Sequence, residues 1–208
     1  MLEPEPSLPI RASRKSGYTP ASDALWVRAM TEDANRYDTL IVLAARYRAL
    51  AEENYARIRA LAEALQSGFC AYLNSAAPPC VLLVPPAGPF EPRAYGDRAF
   101  STPPTGFQAL GPILFGLAVR VSETNDWIRV TMECAKEGEN FTVSMHGGAS
   151  HTFRLPLYDQ DPSDFFAALY QHVSTVFSGA IDDYEHGRYG VREMGFDFSD
   201  APASEETA

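Results

Sequence analysis

Apolar residues alternate with polar ones along residues 113–155, and the alternation keeps its phase through three interruptions. Ile113, Phe115, Leu117, Val119 and Val121 form the first set. Ile128, Val130, Met132 and Cys134 form the second, Phe141, Val143 and Met145 the third, and Phe153 and Leu155 the fourth, with His151 in phase. A period of two puts every second side chain on one face of a strand, so this stretch predicts an antiparallel β-meander with one buried face. Hairpin loops at Thr124-Asn125, at Lys136–Glu139 and at His146–Ser150 keep all four sets on that face. They predict three cross-strand rows. The first is Val119, Val130, Met145 and His151; the second Leu117, Met132, Val143 and Phe153; the third Phe115, Cys134, Phe141 and Leu155. The other face carries Arg120, Arg129, Thr131, Glu133, Thr142, Ser144, Thr152 and Arg154, and is expected to meet water or a polar partner.

A helical period governs the preceding segment. Tyr37, Leu40, Ala44, Tyr47, Ala51, Asn54, Ile58, Leu61 and Leu65 recur at steps of three and four, between a capping Thr31 and about Asn74. Such a helix would span about 63 Å. It can pair with a second copy, with Asn54 setting the register, or lie across its own sheet with a break near Gly68. Ser22-Asp23 can cap a shorter helix ending at Met30. After the meander, Asp161-Pro162 opens a helix whose stripe is Phe165, Phe166, Leu169, Val173, Val176, Phe177 and Ile181. The predicted class is α+β: a four- to five-strand antiparallel meander covered on one face by a long N-terminal helix and a C-terminal helix, a two-layer sandwich.

The organisation that follows is a disordered tail over 1–20, a single domain over 21–198 and an acidic disordered tail over 199–208. Within the domain, 21–75 is helical, 76–112 is a Pro-rich connection, 113–156 is the meander and 161–187 is the last helix. The connection holds one apolar run, Cys80-Val81-Leu82-Leu83-Val84, read as a short buried strand. Residues 188–198 read as an ordered return anchored by Tyr189, Phe196 and Phe198.

Composition narrows the function classes. The formal charge is −10, which opposes a broad electrostatic grip on nucleic acid or anionic membrane. No segment reaches the roughly 18 apolar residues of a membrane span. Fifteen of the 17 basic residues are Arg, a bias that fits GC-rich coding and a bacterial source. Cys70, Cys80 and Cys134 lack a CxxC spacing and read as reduced thiols in a cytoplasmic protein. No nucleophile elbow, phosphate loop, dinucleotide fingerprint or zinc motif occurs, so no catalytic residue, cofactor or metal is assigned and the reading leans away from an enzyme.

One cluster stands out. The predicted register sets Arg120 opposite Arg129 and level with His146. Like charges facing across a ladder are destabilising unless an anion or carboxylate neutralises them, so Arg120, Arg129 and His146 are the candidate anion or partner site. The functional expectation is a non-enzymatic interaction or adaptor protein, self-associating through the long helix, whose partner is another protein, a second copy of itself, or both. The alternative is a small-molecule binder or uncharacterised enzyme with a pocket between the sheet and the Pro-rich loop.

Overall fold

The computed structural model describes residues 35–75, 79–157, 160–188 and 196–198. The proposed short helix ending at Met30, both tails and Tyr189 lie outside these residues. Residues 45–208 form one compact unit and residues 1–44 another; the described part of the latter is residues 35–44, the opening turns of the first helix.

Helix α1 runs from Arg36 to Tyr72. Asn35 starts it, its side-chain oxygen accepting from the Tyr37 N–H at 3.2 Å. No proline interrupts it, and it passes Gly68 unbroken. Five strands follow in antiparallel order β1 (Val81–Val84), β2 (Ile113–Arg120), β3 (Trp127–Glu137), β4 (Asn140–Met145) and β5 (Ser150–Arg154). Helix α2 spans Ser163–Glu185, and β6 (Phe196–Phe198) pairs with β3 at Ile128, Arg129 and Val130, beyond the reach of β4. The architecture is thus the expected α+β arrangement of a five-strand antiparallel sheet with a long N-terminal and a C-terminal helix.

The buried face is the expected one, yet all three meander registers differ by two residues. Val119 pairs with Ile128 rather than Val130, Cys134 with Val143 rather than Phe141, and Val143 with His151 rather than Phe153. A slip of two preserves which face each side chain takes, so hydrophobic alternation cannot detect it. The turns decide. Between β2 and β3 a four-residue loop closes on Val121 and Asp126, held by Asp126 hydrogen-bonding Ser122 and Thr124. Between β3 and β4, Gly138 at φ +64° begins a two-residue turn, the conformation for which glycine has no steric cost. The β4–β5 loop is 146–149, with Met145 N–H bonded to Ala149 O.

The core forms where the second half of α1 meets this face. Ala51, Asn54, Tyr55, Ile58, Leu61, Ala62, Leu65 and Phe69 are all buried, against Leu117, Val130, Met132, Val143 and their neighbours. Asn54, the expected register residue of a helix pair, is buried and donates to Gly111 O at 3.4 Å. Phe165, Phe166 and Leu169 are the buried part of α2, while Val173, Val176 and Phe177 are partly buried.

Gly68 lets the two helices meet. A Cβ there would lie 2.5 Å from Phe166 Cζ, and that ring is hemmed in by Phe69, Tyr72 and Phe165. Gly68→Ala gains about 1 kcal/mol of helix propensity but overpacks a ring that cannot swing aside, at about 1–3 kcal/mol. A net loss of stability is expected in urea titration. A higher midpoint would show that the ring yields.

The cysteine expectation is corrected. Cys70, near the end of α1, is disulfide-bonded to Cys80, beside β1, with Cα atoms 5.5 Å apart; only Cys134 is free. None of the described helices is long and apolar enough to cross a membrane.

Candidate functional site

The sheet's second face is not uniformly wet. Leu82, Val84, Ala118 and Trp127 form a second small core there with Phe90, which the Pro-rich connection brings back across the strands. Arg129 lies beneath that connection at 2% exposure. Its Nη1 donates to Pro85 O at 3.2 Å and Gly88 O at 2.6 Å, and its guanidinium sits 5.0 Å from the Phe90 ring centroid. Thr131 donates to Pro86 O. Gly116 makes room for it, since a Cβ there would stand 2.8 Å from Arg129 Cδ and 2.9 Å from Val84 Cγ2.

The Arg120–Arg129 opposition is therefore absent. Arg129 pairs with Ala118, and Arg120 with Trp127. Arg120 folds back onto the carbonyls of Ser122 and Glu123 at the β2–β3 loop. His146 is exposed after β4, its N–H bonded to Thr131 O. Arg120 and Arg129 are thus not level, and Arg129 serves the connection rather than an open face. The signal in the sequence is the unbroken apolar run of β1, which implies cover on both faces, together with the small Gly116 and Ala118 beside Arg129.

Two other titratable groups are tied into the packing. Burial pushes the Cys134 thiol up to about 12, which suits packing and not nucleophilic attack. The Tyr55 hydroxyl is likewise raised to about 12, by burial first and then by Asp97, to which it donates at 2.9 Å. Arg59 also pairs with Asp97, so α1 and the turn at Gly96–Ala99 are tied together. Among the described residues no group of three or more His, Cys, Asp or Glu side chains is placed to hold a metal ion.

His172 on α2 packs against Gly148 of the β4–β5 loop, and its buried Nε2 has no hydrogen-bond partner among the described residues. Its pKa lies below the ordinary 6.5, through burial first and the nearby His146 second. The unfolded chain therefore takes up this proton first as pH falls. The stability contribution is complete above 6.5 and is lost as pH drops through the depressed folded value. Urea midpoints measured from about pH 7.5 to about pH 5.5 should fall, and the His172→Gln variant should fall less. Identical slopes would contradict this assignment.

The first turns of α1 present a different surface. Tyr37 is 66% exposed, Leu40 63%, Ile41 50%, Val42 53% and Leu43 54%. They encircle the helix rather than forming one stripe, with Arg36 and Asp38 the charged residues among them. No residue from Arg36 to Leu50 is buried, whereas burial at helical spacing begins at Ala51. The seam read from sequence thus has two halves: the second packs on the chain's own sheet, while Tyr37, Leu40 and Ala44 of the first are exposed and Tyr47 stacks on Phe107.

A cleft of about 500 Å³ lies between α1 and the β3–β4 turn, lined by Arg57, Ala60, Ala64, Glu139, Leu155 and Leu157 among others. It does not involve the Pro-rich connection, whose Pro85–Phe90 part lies bonded to the sheet. No protein-family model, no curated protein and no solved structure matches the chain.

Proposed function

We propose that this chain is a non-enzymatic interaction protein that self-associates through the exposed apolar turns of α1, Tyr37 to Leu43. The observation that carries the reading is the exposure of five large apolar residues within seven positions, each at half or more. Ordinary surfaces scatter such residues singly, and contiguous apolar patches mark interaction sites.

Magnitudes set the expected strength. A half-exposed Leu, Ile or Tyr contributes about 1 kcal/mol when covered. Because these residues encircle the helix, a partner covers about half of them at once, so two copies together supply about 5 kcal/mol, against an association cost of about 4–15 kcal/mol. The net is a weak, concentration-dependent complex. The like charge of −10 on each copy opposes it, so added salt should strengthen the association. Another protein could use the same surface. The base composition of the coding sequence would test the bacterial source, while the disulfide weighs against a reducing cytoplasm.

Leu40→Glu with Leu43→Glu places charge on this surface without touching a buried residue. Light scattering should show the association lost while circular dichroism and the urea midpoint stay unchanged. Association that survives both substitutions would exclude these turns as the contact.

A further inference from the structure

We propose that the open edge of β5, with the notch beside it, binds an extended segment of a partner protein that places a lysine or arginine in that notch. β5 ends the sheet, and no described strand lies beyond it. The Arg154 N–H is taken by Gln160 Oε1 at 3.0 Å, and Met145 N–H reaches Ala149 O. In an antiparallel ladder these two bonds fix the phase: odd-numbered residues of β5 bond to β4 and even-numbered ones face away. Ser150 and Thr152 therefore direct their N–H and C=O groups off the sheet, and both are exposed. Such an edge is a template for strand addition, in which main-chain bonds supply affinity and side-chain notches supply specificity.

The notch is a cleft of about 290 Å³ between β5 and the start of α2. Phe153 and Phe165 lie buried at its base, with His151 edge-on to Phe165, and its exposed lining is mainly polar, with Gln160, Asp161 and Asp164 at the rim. A lysine or arginine suits this rim through its charged head, which the carboxylates of Asp161 and Asp164 attract. Hydrogen bonds from Ser163 hold Asp161 below the usual carboxylate range, so it stays ionised. The α2 N-terminus contributes about half a positive charge, which two carboxylates outweigh. The net charge of −10 also favours a basic partner over a second copy. This surface shares no residue with the α1 turns, so either proposal can fail alone.

The test uses the full chain labelled with ¹⁵N and a short synthetic peptide alternating valine and threonine around one central lysine. The Ser150 and Thr152 amide resonances should shift on titration and become protected from exchange. Replacing the peptide's lysine with glutamate, or N-methylating its bonding edge, should weaken binding at least about tenfold. Asp164→Asn should weaken the lysine peptide several-fold and leave the glutamate peptide no worse. Because the peptide carries most of the changes, a folding defect cannot imitate the result. Unmoved Ser150 and Thr152 resonances, or equal binding of the lysine and glutamate peptides, would overturn the proposal. So would shifts of these resonances with protein concentration alone, which would give the edge to a second copy.

Discussion

Replacing Arg129 with alanine is expected to cost about 3–5 kcal/mol of folding stability, with about 1.5–3 kcal/mol from its charge-assisted hydrogen bonds and the rest from lost packing. Three losses combine. The guanidinium's bonds to the carbonyls of Pro85 and Gly88 disappear, leaving acceptors beneath the connection without their donor. The contact with the Phe90 ring is lost. The aliphatic stem leaves a gap beside Gly116 and Val84, since both approach it closely. Arg129→Lys should recover part of the loss, because an ammonium keeps the charge and the donors but not the flat guanidinium that lies against the Phe90 ring. Trp127 lies in the same small core, so its fluorescence should report the loosening. A urea midpoint equivalent to less than about 1 kcal/mol of loss would mean that Arg129 does not hold the connection down.

The Cys70–Cys80 bridge carries the second large expectation. The two are separated by 10 positions, and closing a loop of that size removes unfolded-state entropy worth about 2.7 kcal/mol. The bridge ties the last turn of α1 to the edge strand β1, beside the hydrogen bonds Gln66 to Val81 O and Arg120 N–H to Cys80 O. Paired Cys70→Ser and Cys80→Ser should lower stability by about that amount. Alkylation in denaturant should label one thiol before reduction and three after it, the first being Cys134. Three labels without reductant would show that the bridge does not form in the isolated protein.

The two faces of the meander were legible in the sequence because alternation is a parity signal, and parity survives any slip by two. The pairing was not legible, because each hairpin can trade a turn of one length for another two residues longer without moving an apolar residue off the core. Gly138 was the available sign of a two-residue turn. The Ser122–Asp126 cluster was the corresponding sign of a longer loop. Arg129 was misplaced for a different reason: what covers a sheet face comes from a distant segment, here Pro85–Phe90, which strand periodicity does not register. The long helix was readable as a seam, and its division at Ala51 was not, since Tyr37 and Leu40 carry the same pattern as Ile58 and Leu61. Exposure alone separates them. The disulfide was hidden because two cysteines without a motif carry no pairing information until α1 and β1 are placed side by side.

The proposed function stands on what those exposed first turns of α1 do in solution. Sedimentation equilibrium of the wild-type chain, run across a wide concentration range at low and high salt, tests it most directly. A reversible monomer–oligomer equilibrium that strengthens with salt is the predicted result. A strict monomer at every concentration and salt would contradict it.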